Sequence, residues 1–370
     1  MAAPVLTAEE PSVRVAILQE VPSLRVTMPG PCRMTDLKSG ALLTEWPVLK
    51  WKEIRPGNAG LLVGQEEVPL QAISLEPVGN PVFNINGRPY RGKLILYRTP
   101  RGQITAVNRL NLEEYLVGAL TSETSPQWPL EVLRAHAVVS RTVVAHRIWI
   151  RKNEPFDVAA DTSTHLYHGV SAERETTREA VTKTRGQVLT YQGELFSASF
   201  HASCGGHTED ASELWQSTKV LPPLKGREDP YCRDLRHYRW TTRMNQPEFL
   251  SAVKLDEEAL RRLTDCEVLD RNASGRVRAV QLIGEKKVVT LTGKRLRELL
   301  GANRLRSLKF SISMEGDYLV FEGYGWGHGV GFCQWGAYGM ARKGKKMDEI
   351  LTFYFPGAQR RSLKGLPGFS

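Results

Sequence analysis

The chain predicts a mixed α+β fold, with helices carrying a candidate catalytic loop, largely antiparallel β structure packed with them, and a β-rich N-terminal region. Three observations predict it. Residues 12–100 hold short alternating runs, such as Val13-Arg-Val-Ala-Ile-Leu and Lys93-Leu-Ile-Leu-Tyr, separated by Pro-Gly and Asn-Gly turns. From residue 111 the apolar spacing becomes helical. After residue 186 strand-like and short helical runs alternate to the end of the chain.

Taken in order, Asn111-Leu-Glu-Glu reads as a capped helix start with an acid three residues on, and the helix runs through Leu120. A polar turn over 121–127 interrupts it. Pro129 then opens a helix whose apolar positions 130, 133, 137, 138, 144 and 148 carry it to Ile150. A third helix is predicted over 172–184, begun by Ser171 and stopped by Gly186. Runs 188–191 and 195–202 flank the turn pair Gln192-Gly193, and further strands are expected over 277–283, 288–291 and 318–323. Short helices follow at 296–300, 334–342 and 348–355. The expected organisation is a β-rich region over 1–100 and a core domain over 101–360, with an α/β subdomain at about 245–315.

The net charge of +10 favours polyanionic neighbours, yet the lysines and arginines are spread out. The clearest cluster is Arg342, Lys343, Lys345 and Lys346, followed by Arg360 and Arg361, and a solvated helix end accounts for these equally well. With no basic helix or nucleic-acid motif, no nucleic-acid partner is expected. No run approaches the roughly 18 apolar residues of a membrane helix. The first ten residues lack the features of a signal peptide, which leaves a cytoplasmic chain or one trimmed of its export signal. Five cysteines, Cys32, Cys204, Cys232, Cys266 and Cys333, show no CxxC spacing, so a zinc ribbon is not expected and one or two disulfides stay open.

The most distinctive stretch runs from Gly323 to Gly339, with glycine at every second position from 323 to 331 and again at 336 and 339. Glycine lets a backbone approach a ligand or another strand closely. The interleaved Tyr324, Trp326, His328, Gln334 and Trp335 supply aromatic faces and hydrogen-bonding groups suited to a sugar. No Gly-x-Gly-x-x-Gly or Gly-Lys-Ser/Thr fits, which removes the nucleotide reading. A strand passing under another element remains as the alternative. In Thr121-Ser-Glu-Thr-Ser-Pro-Gln-Trp-Pro, Glu123 lies beside Leu120, Pro126 and Trp128, where desolvation would raise a carboxyl pKa toward general-acid use. A solvated turn residue is the plainer reading. His201, Cys204 and His207 offer three possible metal ligands in one segment, and His165 with His168 two more, but such histidines are more often structural.

Four segments together resemble the stage II sporulation protein D and amidase-enhancer family of bacterial cell-wall remodelling. They are Glu114-Tyr-Leu-Val-Gly-Ala-Leu-Thr-Ser-Glu with Pro129-Leu-Glu-Val-Leu-Arg-Ala-His-Ala-Val-Val-Ser-Arg-Thr; Asp161-Thr-Ser-Thr-His-Leu-Tyr-His-Gly; Phe200-His-Ala-Ser-Cys-Gly-Gly-His-Thr; and Gly325-Trp-Gly-His-Gly-Val-Gly-Phe-Cys-Gln-Trp-Gly-Ala-Tyr-Gly-Met-Ala. Their order over about 110–357 makes the signal specific, whereas 1–100 is less diagnostic. The resemblance implies an extracytoplasmic protein acting on peptidoglycan glycan strands, preferably denuded, by lytic transglycosylation to 1,6-anhydro ends. It maps the catalytic acid onto Glu123. It implies that Arg141, Ser199, His201, His328 and Gln334 line the substrate groove, of which the glycine run would form a wall with Trp326, His328 and Gln334 as substrate contacts. The amidase-enhancer branch implies an alternative, a non-catalytic glycan-binding activator with a cell-wall amidase as partner. The cysteines that hold zinc in some members are replaced here by Ala160 and Leu166, so no metal or other cofactor is expected and zinc is not favoured. Instead Cys204 and Cys232 are suggested as a disulfide.

Overall fold

The structure, a computed structural model, describes residues 11–79, 82–161, 166–215, 221–254 and 262–369. The chain forms two compact units, residues 1–197 with 360–370, and residues 198–359. The fold is α+β, as expected.

The first unit is built on a seven-stranded sheet in the order Val158–Ala159, Ser12–Val21, Ile104–Asn111, Lys93–Arg98, Ala72–Pro77, Cys32–Asp36 and Leu42–Trp46. Its pairings are antiparallel except for the short Val158–Ala159 strand, which runs parallel to Ser12–Val21. A second sheet orders Arg88–Arg91, Val82–Ile85, Leu24–Met28, Leu49–Pro56, Leu61–Val63 and Glu66–Val68. Ile104–Asn111 is buried on both faces. Ala106 and Leu110 join the main core, while Val107 packs with Ala16 and Ile95 under Phe156. A mostly apolar run such as Ile-Thr-Ala-Val, with one short hydroxyl side chain, suits a strand covered on both sides.

The boundary expected at residue 100 falls inside this sheet. Lys93–Arg98 pairs with Ile104–Asn111 across it. The same core also takes in Tyr115, Leu116, Leu120 and Leu133 from the helices that follow.

Helix α1 spans Leu112–Glu123, with the Asn111 side chain accepting from the Glu113 and Glu114 N–H groups as the sequence implies. It continues three residues past the predicted end. Thr121, Ser122 and Thr124 each return a hydroxyl to the carbonyl four residues back, on Val117, Gly118 and Leu120, so a polar run reads as a turn yet finishes a helix. Helix α2 covers Leu130–Ile150 with Pro129 at its cap. Helix α3, Glu175–Lys183, starts three residues later than predicted because Gly169–Ala172 is a separate 3-10 turn. The hairpin turn at Gln192-Gly193 has φ of 53° and 84°, the left-handed pair that its sequence suggests.

In the second unit the short helix α4 spans Ala211–Trp215. Sheet Arg239–Asn245, Tyr318–Tyr324, Phe310–Glu315 and sheet Leu263–Arg271, Val277–Gly284, Val288–Thr292 are each three-stranded. They share a core with α5 (Gln246–Val253) and α6 (Gly293–Leu300), centred on Phe249, Phe310 and Phe321. Helices α7 (Gln334–Arg342) and α8 (Met347–Tyr354) follow the glycine run. The long second hairpin arm predicted over 195–202 is instead divided. Glu194–Leu195 pairs back onto the hairpin, and Phe200–His201 pairs in parallel with Phe332–Cys333.

Candidate functional site

In the first unit Glu123 ends α1 with a half-buried side chain. Its Oε1 accepts the Leu166 N–H at 3.1 Å. The segment that offers this donor is itself fixed to the helix. Tyr167 packs between Tyr115, with ring centroids 5.0 Å apart, and Tyr90, at 6.0 Å. Gly118 leaves room on α1 for the Gly169 carbonyl and the Tyr167 ring, both of which a side chain there would crowd. The Leu166 N–H thus orients the Glu123 carboxylate at the end of the helix. Of the ligand pair proposed nearby, His168 is exposed, and His165 lies outside the described residues.

Arg141 is expected to face substrate, and the structure corrects that. It is fully buried. Its Nε and Nη2 donate to the two Glu113 carboxylate oxygens at 2.8 and 2.7 Å, and Nη1 donates to the Gln187 carbonyl at 3.0 Å. A guanidinium closed in this way is part of the scaffold that ties α1, α2 and the Gln187–Tyr191 strand together.

In the second unit the glycine run is filled by the protein itself. Gly325, Gly327, Gly329 and Gly331 all have positive φ, between 73° and 112°. A Cβ at 325 would meet the Ser203 carbonyl, at 327 the His201 side chain, at 329 the Arg276 guanidinium and at 331 the Ser199 carbonyl. The close approach that the glycines permit is therefore made by residues 199–205 and by Arg276. Trp326 and Ser203 exchange backbone hydrogen bonds of 2.8 and 3.0 Å across this contact.

The expected contact residues share this region in unequal states. His201 is buried, with Nδ1 donating to the Val330 carbonyl at 3.1 Å, and burial keeps its imidazole well below the usual pKa. His328 accepts the Val330 N–H on Nδ1 at 3.0 Å and also bonds the Phe200 backbone. Burial lowers it to about 4, so it is neutral near pH 7. Gln334 is buried, and its Nε2 has no hydrogen-bond partner among the described residues. Ser199 and Trp326 are half-buried, the latter with the Arg306 guanidinium 4.7 Å from its ring and His237 against it at 4.7 Å. Trp215 is the exposed aromatic of this set, packed on His328 at 5.9 Å, and sequence reasoning did not single it out.

The suggested Cys204–Cys232 disulfide is not formed. The two sulfurs are 3.3 Å apart, against about 2.05 Å in a disulfide. What sequence reasoning missed is that Cys333 and Asp229 share the same buried space, the four ligand atoms lying within 4.8 Å of one another. Cys333 accepts the N–H groups of Cys204 and Gly336 on its sulfur at 3.3 and 3.2 Å. Hydrogen bonding from the Cys204 and Cys333 thiols pulls Cys232 down, while burial pushes those two up. His201 and His207 do not join Cys204 in a ligand set, since the His207 Nδ1 bonds the Thr208 carbonyl.

A family model described as stage II sporulation protein matches residues 100–191, and one described as a domain of unknown function matches 210–331. The stage II sporulation protein D of Bacillus subtilis is 30% identical over 322 residues, covering 82% of this chain and 87% of its own length. The chain belongs to the stage II sporulation protein D family. An uncharacterized protein of Brachyspira hyodysenteriae is 29% identical over 351 residues, covering 95% of this chain and 93% of its own. The amidase enhancer of Bacillus subtilis is 24% identical over 291 residues, covering 65% of this chain and 39% of its own length.

Proposed function

We propose that this protein is a peptidoglycan lytic transglycosylase that cleaves denuded glycan strands outside the cytoplasm, with Glu123 as its single acid and base. A cell-wall role is supported by membership of the family and by the amidase-enhancer relative. The observation that carries the finer reading is the Glu123 carboxylate at the end of α1, oriented by the Leu166 N–H.

The chemistry needs one such group. As the acid, Glu123 gives its proton to the oxygen joining N-acetylmuramic acid to N-acetylglucosamine, and an oxocarbenium-like centre develops at the muramic C1. As the resulting carboxylate it takes the proton from the muramic 6-hydroxyl, whose oxygen closes onto C1. The product is a 1,6-anhydro end, and no water is consumed. An internal nucleophile held in place has an effective molarity of about 10⁵–10⁸ M, which makes a second carboxylate unnecessary. In the second unit, taken by itself, Ser199 and Trp326 are half-buried and Trp215 presents an exposed aromatic face.

Mass spectrometry of denuded strands after incubation tests this reading. Anhydro-ended fragments are expected. Reducing ends that take up heavy-oxygen label from water would replace transglycosylation by hydrolysis. Intact strands, with faster peptide removal when a cell-wall amidase is added, would instead establish the second reading, that of a glycan-binding amidase activator, which the amidase-enhancer similarity favours.

A further inference from the structure

We propose that Cys204, Asp229, Cys232 and Cys333 form a structural zinc site in the second unit. The ligands come from three separate segments: the turn after Phe200–His201, the 3-10 turn Pro230–Cys232 with Asp229 as its cap, and the cap of α7. All four are buried, and their ligand atoms lie within 4.8 Å of one another. Tetrahedral zinc, with Zn–S of about 2.3 Å and Zn–O of about 2.0–2.2 Å, sets its ligand atoms roughly 3.5–3.8 Å apart. Here the Cys204 sulfur is 3.3 Å from that of Cys232 and 3.2 Å from the Asp229 Oδ2, and with the whole set inside 4.8 Å an entering ion needs ligand shifts of no more than about one ångström. Asp229 and Cys232 also stand at the separation of a CxxC pair, with a carboxylate in the first place.

The surroundings suit coordinated ligands. The Cys204 and Gly336 N–H groups point at the Cys333 sulfur. The Tyr354 hydroxyl donates to the Asp229 Oδ2 at 2.9 Å, and the Tyr231 N–H donates to Oδ1 at 2.9 Å. Outer hydrogen bonds of this kind fix ligand orientation. Gly336 is required by the same packing, because a Cβ there would overlap the Tyr354 hydroxyl and the Asp229 carboxylate. Three thiolates, one carboxylate and Zn²⁺ total a charge of −2. Arg276, donating to the Cys204 carbonyl at 2.9 Å, and Lys309, donating to the Gly205 carbonyl at 2.9 Å, put positive charge beside it. Glu209, 3.9 Å from Arg276, takes up part of that charge. A disulfide between Cys204 and Cys232 would leave Cys333 and Asp229 converging without purpose; one ion uses all four.

Bound zinc would join the Phe200–His201 and Phe332–Cys333 strands to the Asp229 turn, and so fix the glycine run between them. The test loads the reduced full chain with one equivalent of zinc or cobalt, dialyses it, and measures metal content and the cobalt spectrum. One metal per chain is expected, with a thiolate-to-cobalt charge-transfer band and the visible bands of a tetrahedral site. Cys232→Ser should lose the metal, Cys266→Ser should keep it, and Asp229→Cys should keep it with a stronger charge-transfer band. Because a variant can fail to fold, the wild-type spectrum counts sulfur ligands independently. The proposal is overturned if reduced wild type retains no metal, if the cobalt spectrum shows no thiolate ligation, or if peptide mapping of unreduced protein finds Cys204 bonded to Cys232.

Discussion

Among the described residues each unit buries one arginine, and the two are used differently. Arg141 closes a two-pronged ion pair with Glu113, whose other described donor is the Gly186 N–H at 3.2 Å. Arg276 donates to the carbonyls of Cys204 and His207 and to the Ser274 hydroxyl, and Glu209, 3.9 Å away, has its own partners in Asn272, Ser274 and the Asp210 N–H. In the first unit a charge pair joins helices and leaves the α1 terminus to present Glu123. In the second the polar groups are turned inward to hold loops together. On the proposed reading, one chemically suggestive segment serves substrate while the other is closed by the fold, and the burial of Arg141 and Arg276 shows where each fold is tied.

That contrast can be broken by substitution. The largest effect is expected from Gly331→Ala, which forces a Cβ onto the Ser199 carbonyl at a φ of 73° and should unfold the second unit, seen as a lost calorimetric transition. Arg141→Met should come next, costing about 3–5 kcal/mol in urea unfolding because it strands the buried Glu113 charge. Adding Glu113→Gln should restore much of that loss. Arg276→Met should cost less, about 1–3 kcal/mol, since Glu209 keeps its other donors and the main loss is the donor to two carbonyls. If Arg276→Met proves the costlier of the two, the comparison is inverted.

A pH-dependent effect is also expected in the second unit. The folded-state pKa of His328 falls from the usual 6.5 to about 4, so the unfolded chain binds the extra proton between these values. Stability from keeping this ring neutral is present above pH 6.5 and is lost as pH falls toward 4. His328→Asn should flatten the acid-side decline of the second unit's melting temperature, and an unchanged slope would remove His328 as its cause. Gly316→Ala sets the floor. Its φ is also positive, at 60°, but nothing lies within 4 Å of the added carbon, so a loss of only about 1 kcal/mol is expected.

The elements that were legible in the sequence are those with local causes. The Asn111 cap, Pro129 and the Gln192-Gly193 turn each act within a few residues, and the structure places them as read. The close approach implied by the glycine run was also legible, but not what approaches. Residues 199–205 and Arg276 lie far away in sequence, and only folding brings them under the run. Arg141 had a readable signal: residues 135–145 of α2 are small or apolar on nearly every side, and an arginine among them has to be paired inside. The thiol cluster had little, because its ligands are separated by up to 129 residues and one of them is an aspartate. Cys204 and Cys232 were matched as neighbours, while Cys333 went unmatched.

The central claim is that Glu123 serves chemistry while the conspicuous glycine run serves the fold. The most direct measurement is Glu123→Gln assayed on denuded glycan strands, with its melting curve recorded in parallel. The account predicts an unchanged melting temperature, retained strand binding, and a fall in 1,6-anhydro product of at least about 100-fold. Wild-type product yield from Glu123→Gln would contradict it.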